Sequence, residues 1–218
     1  MKKCFVSLLA AAVLLTLLSA CAGGGTFREQ AYASGAEQVR SISVQVTDRA
    51  VELCASADGQ VHISYFDSEK EYLDISLSDG ALTVTLQQDK EWTDFIGTQP
   101  DAAYRKITLE VPADVSSVSV QTTNEDISLS SLSVAESVLL DVNGGSIRCE
   151  GVDAGKAIGL KAKNGDVTGS IVGGWSDFSI ACTIKKGECN LPESKEGGEK
   201  SLTVDCNNGN IDLAFTEA

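Results

Sequence analysis

The chain has 218 residues, a net charge of −14, seven Cys and a single His. An apolar share of 43% supplies material for a core, so the chain is not a disordered polyelectrolyte. The acid excess excludes a nucleic-acid partner, and one His excludes most His-based catalysis and His-rich metal sites.

Lys2 and Lys3 precede an uncharged apolar run over 5–18. That run is shorter than the ~20 residues of a membrane span and suits the apolar core of an export signal. Leu18-Ser19-Ala20-Cys21 comes next and resembles the bacterial lipobox, in which small residues enter the peptidase cleft and the Cys thiol receives a diacylglycerol. The expectation is a lipoprotein signal peptide over 1–20 and a mature chain that starts at lipidated Cys21. An ordinary signal peptide with an incidental Cys is the alternative. Palmitate-type chains contribute about 0.8 kcal/mol per buried CH₂, and two or more hold a protein to a bilayer. Ala22-Gly23-Gly24-Gly25-Thr26 reads as a flexible tether, continued by the polar stretch to residue 37. The folded domain is then expected over 38–218, extracytoplasmic and lipid-anchored, with its acidic body standing off the membrane.

In the N-terminal third, alternating runs predict strands at 41–46, 50–55, 61–66, 73–78 and 82–87, with turns at Asp58-Gly59 and Asp79-Gly80. These strands are expected to pair among themselves and to cap the first coil of the repeats. The loop 88–103 carries Trp92 and Phe95, either a contact surface for a partner or glycan, or a lid over the core. A strand over 104–111 then runs into Pro112.

From Pro112 onward the chain repeats every 20 residues. Val118, Val120 and Thr122 are matched by Val138, Leu140 and Val142, then by Ile158, Leu160 and Ala162. Phe178, Ile180 and Cys182 come next and, after a four-residue insertion, Leu202, Val204 and Cys206. The second half of each unit repeats too: Ile127, Leu129 and Leu132; Ile147, Cys149 and Val152; Val167, Gly169 and Val172; then, less regularly, Cys189 with Leu191 and Ile211 with Leu213. Asn- and Gly-rich turns separate the halves, and the turn after Ile184 reads as two residues longer than the others. Trp175, in a Gly173-Gly174-Trp175 corner, is expected to plug one coil edge. Alternation buries one face of each strand, and a constant spacing stacks equivalent side chains in columns. The fold class is therefore all-β, a β-solenoid with rungs of ~20 residues in parallel register. A meander of Asn-Gly hairpins is the competing architecture.

Ile107-Thr108-Leu109-Glu110-Val111-Pro112, with the later Asn164-Gly165-Asp166-Val167 and Asn208-Gly209-Asn210-Ile211, resembles the bacterial putative-adhesin family of β-strand-repeat proteins, a domain of unknown function. Glu125 and Gly145-Ser146 depart from that unit. The resemblance implies a right-handed β-helix-like fold on secreted or surface-anchored proteins. It implies no activity and no cofactor.

The turn position before each second half-strand places Asp126, Ser146, Asp166, Glu188 and Asn210 in one column. The column is either a weak Ca²⁺ or sugar-hydroxyl stripe, or a set of turn residues bonding their own backbone. No metal-ligand spacing appears, and His62 stands alone in a strand. The expected role is a non-catalytic binding, scaffold or envelope-sensing module, with an envelope protein or glycan as partner. The alternative is a carbohydrate-active β-helix enzyme, a polysaccharide lyase or glycosidase, which needs carboxylates converging on one groove. Cys182 and Cys206, aligned as neighbours in one column, are expected as two packed thiols.

Overall fold

The computed structural model describes residues 26–89 and 100–217. Among these residues the elements are strands and two short 3-10 turns, Ala102–Arg105 and Trp175–Asp177. The N-terminal third holds β1 (Arg28–Ala33), β2 (Ser41–Gln45), β3 (Ala50–Ala55), β4 (His62–Asp67), β5 (Glu71–Ser78) and β6 (Ala81–Gln88). Then come β7 (Lys106–Val111), β8 (Ser117–Thr122), β9 (Ile127–Ser130), the short β10 (Ser133–Val134), β11 (Ser137–Val142) and β12 (Ile147–Ala154). The C-terminal part holds β13 (Ala157–Asn164), β14 (Val167–Val172), β15 (Phe178–Lys186), β16 (Ser194–Lys195), β17 (Lys200–Asn208) and β18 (Ile211–Thr216).

Two sheets enclose one core. The first runs β1-β4-β7-β3-β9-β12-β14-β18, with β10 on β12, and the second runs β16-β15-β17-β13-β11-β8-β2-β6-β5. Each central repeat gives one strand to each sheet. Leu140 pairs in parallel with Val120 on one side and Leu160 on the other, which is the 20-residue register of the sequence. On the other sheet Ile147 lies between Ile127 and Val167. The Asn164-Gly165 turn joins β13 and β14, which lie in different sheets, so it closes no hairpin. The inward columns fuse into a single buried cluster, with Val138, Val142, Ile147 and Val167 at zero exposure. A shift of register between Cys149 and Val152 pairs Val152 with Ile171, so Ile171 is buried rather than the expected Val172.

The order of the coils departs from the order of the chain at both ends. The strands β2 and β3 do not merely cap. They form a full coil, with Ser41 beside Ser117 and Val51 beside Ile127. Outside that coil lies another, made of β6 and β7, which pair with β2 and β3 in parallel. Antiparallel pairs close this end: β5 on β6, and β1 and β7 on either side of β4. At the other end the last coil of the sequence, β17–β18, inserts between β13–β14 and β15.

The structure departs from the sequence expectations at three places. The tether does not extend through 27–37, because β1 is paired and Phe27 is buried, stacked on Tyr104 at 5.3 Å between ring centres. Cys182 and Cys206 are not register partners. Cys182 pairs with Val204, while Cys206 lies between Ala162 and Ile184. Lys186 pairs with Asn208, so the turn after Ile184 is not longer; the strand is shifted by two residues and Phe178 faces Lys200.

Candidate functional site

The turn column is a hydrogen-bonded ladder. Asp126 Oδ1 accepts the Ser146 backbone N–H at 2.8 Å, and Ser146 Oγ accepts that of Asp166 at 3.2 Å. Asp166 Oδ1 accepts from Asn210 at 2.8 Å, and Asn210 Oδ1 accepts from Glu188 at 2.9 Å. The first four side chains therefore bond the backbone of the next coil, not their own as the turn reading expected, and Glu188 ends the ladder through its N–H. The spatial order is 126, 146, 166, 210, 188. The remaining Asp126 oxygen takes Arg148 Nη1 at 2.9 Å. The ladder joins all five predicted column residues and gives the side chains of Asp126, Ser146, Asp166 and Asn210 a structural task. Among the described residues no group of three His, Cys, Asp or Glu side chains is placed to hold a metal ion.

The neighbouring positions of the motif serve the same stacking. Asn208 Nδ2 donates to Asn164 Oδ1 at 2.8 Å, and Asn164 Nδ2 donates to the Asn143 carbonyl at 3.1 Å. A Cβ on Gly165 would lie 2.1 Å from the Gly145 carbonyl oxygen, and one on Gly209 would lie 2.1 Å from that of Gly165. The glycines are required because the backbones of successive turns touch. Glu125, which departs from the Asn-Gly-Asp pattern, forms an ion pair with Arg105.

The outward columns of the second sheet carry a side-chain link between coils, the Lys161–Asp141 ion pair, and leave other side chains of the face open to solvent. On β8, β11, β13 and β17 they form a shallow concavity of about 400 Å³. It is lined by Gln121, Leu139, Asp141, Gly159, Lys161 and Asp205. Leu139 is 48% exposed and leans over Gly159 of the next coil, where an added Cβ would lie 2.8 Å from Leu139 Cδ2. Lys161 Nζ contacts Asp141 Oδ2 at 2.9 Å, and that ion pair raises the lysine pKa. The floor is thus apolar at one point and charged around it. Sequence alternation marks these residues only as outward and carries no signal of the concavity they share.

Trp92, Phe95 and Cys21 lie outside the described residues. His62 Nε2 lies 3.0 Å from Asp58 Oδ1 on the surface. Trp175 packs edge-on against Phe215 at 5.2 Å, with Lys195 Nζ 5.6 Å from its ring centre. It leans on Phe215 while remaining 46% exposed, so it is a partial cover and not the plug expected of its Gly-Gly-Trp corner. The buried Arg49–Glu71 ion pair ties the start of β5 to the turn before β3.

Among curated proteins none matches the sequence. A crystal structure titled as a putative cell adhesion protein from Clostridium sporogenes superposes with a TM-score of 0.64 at 10% identity, covering 87% of this chain and 100% of that one. A putative adhesin from Bacteroides fragilis aligns over 85% of this chain and 97% of its own at 11% identity, with a TM-score of 0.31. The first likeness carries the fold: an all-β chain with coils in parallel register. The profile of the Toastrack DUF4097 family matches residues 39–217, and the chain belongs to that family.

Proposed function

We propose that this chain is a non-catalytic, adhesin-like binding module, a right-handed β-solenoid held outside the cytoplasm by lipid on Cys21. The observation that carries the reading is the division of labour within the repeat. Turn residues are engaged in coil-to-coil bonds, whereas the outer face of the second sheet presents Leu139 and Gly159 among polar side chains. An exposed apolar side chain in a concave polar frame suits a glycan or an envelope protein better than a small metabolite. The adhesion title of the Clostridium sporogenes neighbour agrees with this reading. The enzyme alternative is less well supported, since Asp141, one of the two carboxylates lining the concavity, is already paired with Lys161.

The test is capture of the full-length lipoprotein on immobilised glycans and on envelope fractions. Leu139→Asp is expected to reduce capture at least tenfold with an unchanged melting temperature, because the side chain is already exposed. Equal capture by the variant would refute the surface, and release of soluble sugars from a polysaccharide would favour the enzyme. Trp92→Ala tests whether the 88–103 loop adds to the same surface. Cys21→Ala is expected to abolish palmitate labelling and detergent-phase partitioning.

A further inference from the structure

We propose that Cys182 and Cys189 are a redox pair, a dithiol that closes to a disulfide and staples the C-terminal coil. Their Sγ atoms are 3.5 Å apart. Cys182 points inward from β15, where its register partner is Val204. Cys189 bridges in parallel to Ile211, so it occupies the equivalent inward position beside the other sheet. The two thiols face one another across the interior of the terminal coil. The pairing results from the register shift of two residues, which moves Cys182 away from Cys206 and opposite Cys189. Cys206 instead lies beside Ile184, with its Sγ 3.5 Å from the Gly165 carbonyl oxygen.

The two sulfurs differ in a way that assigns their roles. Cys189 is the more exposed, and its Sγ sits against the Leu191 backbone, 3.3 Å from the N–H and 3.5 Å from the carbonyl oxygen, where an external disulfide reaches it before the buried Cys182. Burial, together with the hydrogen bond to Cys189, holds the Cys182 thiol well above the ordinary range. Cys189 is therefore the attacking thiol and Cys182 the resolving one. The oxidant is a low-molecular-weight disulfide. The Cys189 thiolate attacks one of its sulfurs, the S–S bond breaks, and one thiolate leaves, giving a mixed disulfide. Cys182 then loses its proton to water, attacks the Cys189 sulfur and expels the second thiolate. The protein loses two thiol hydrogens and the external disulfide is reduced to two thiols.

The position gives the bond a purpose. Beyond β15 the second sheet continues only with the two-residue β16, so the terminal coil is held on one side by β17 and hardly at all on the other. A link from β15 to the segment beside β18 ties both walls of that coil together. It limits peeling from an end where strand edges would otherwise open.

The chain carries its own means of test. Trypsin cleavage after Lys163, Lys185, Lys186, Lys195 and Lys200 separates Cys182, Cys189 and Cys206 into three peptides. Full-length protein is equilibrated with oxidised glutathione, alkylated, digested without reduction and examined by mass spectrometry. The expected product links peptide 164–185 to peptide 187–195, with Cys206 alkylated. The link is expected to raise the melting temperature by about 5 °C relative to reduced protein. It should persist in Cys206→Ser and disappear in Cys182→Ser and Cys189→Ser, where the remaining thiol stops at the glutathione adduct. A link through Cys206, a stable glutathione adduct on wild-type Cys189, or two free thiols would overturn the pair. An unchanged melting temperature on oxidation would overturn the staple.

Discussion

Asp166 accepts the backbone N–H of Asn210, 44 residues further along, at 2.8 Å. Asn210 in turn accepts that of Glu188, which precedes it in the chain by 22 residues. The side-chain ladder thus tracks the spatial stack and reverses the sequence at its end. It reports directly that the last coil of the chain lies one place inside the stack. The ladder also explains why Asp, Ser and Asn are interchangeable in the column while Glu188 stands last. Each of the first three places an acceptor close to the main chain, and the terminal position has no further coil to cap.

Loss of one ladder acceptor tests this account. Asp166→Ala should cost about 1 kcal/mol, the usual net value of a hydrogen bond at an exposed site. Asp166→Asn should restore most of it, since the amide oxygen accepts equally well. Urea unfolding of the two variants makes the comparison. Equal loss in both would mean that charge rather than hydrogen bonding holds the turn.

The glycine column is the more demanding position. Gly165→Ala drives a Cβ to 2.1 Å from the Gly145 carbonyl oxygen, so backbone must move. A cost of about 2–4 kcal/mol is expected, as for other strained backbone substitutions. At Gly144 the closest atom is the Asn124 Oδ1, at 2.8 Å, which can rotate away. Gly144→Ala should therefore be clearly milder in the same unfolding assay.

The two faces of β11 should respond in opposite ways. Leu140 is 2% exposed and sits between Val120 and Leu160, so Leu140→Asp buries a charge without a partner. That change should cost several kcal/mol, roughly 3–5, or open the coil. Asp141→Ala removes an exposed ion pair with Lys161 and should change stability by less than about 0.5 kcal/mol. Comparable losses at both positions would contradict one-sided burial.

A pH dependence is expected from the N-terminal cap. Burial pushes Asp67 up to about 6 from its ordinary value of 3.8, against the opposing Leu73 N–H and the charge of Arg49. Between these values the native state binds more protons than the unfolded chain, so this carboxyl lowers stability as pH rises from about 4 to about 6. Above that window the penalty is constant. Asp67→Asn keeps an acceptor for Leu73 and removes the charge. The variant should lose this slope and exceed the wild type in melting temperature at pH 7; a variant less stable at pH 7 would show that the carboxylate is favourable where it lies.

The all-β class and the parallel register of the central strands were legible because two periods coincide in the sequence. Alternation at Val118, Val120 and Thr122 fixes which side chains face inward, and recurrence at 138 and 158 fixes how far neighbouring coils are offset. The turn column was legible for a related reason: a sharp corner admits few residue types, and those recur with the same spacing. What that column does was not legible, because an Asp beside a turn bonds its own coil or the next with the same local chemistry. Tertiary structure alone decided the ends. Alternation has a period of two, so it is satisfied equally by any even shift of register, and pairing Cys182 with Val204 or with Cys206 leaves the same residues inward. Parallel strands of similar length also present interchangeable edges, so nothing local says that β2–β3 lies inside β6–β7 or β17–β18 inside β15. Those choices are made by long-range packing over the whole core, and they bring Cys182 opposite Cys189.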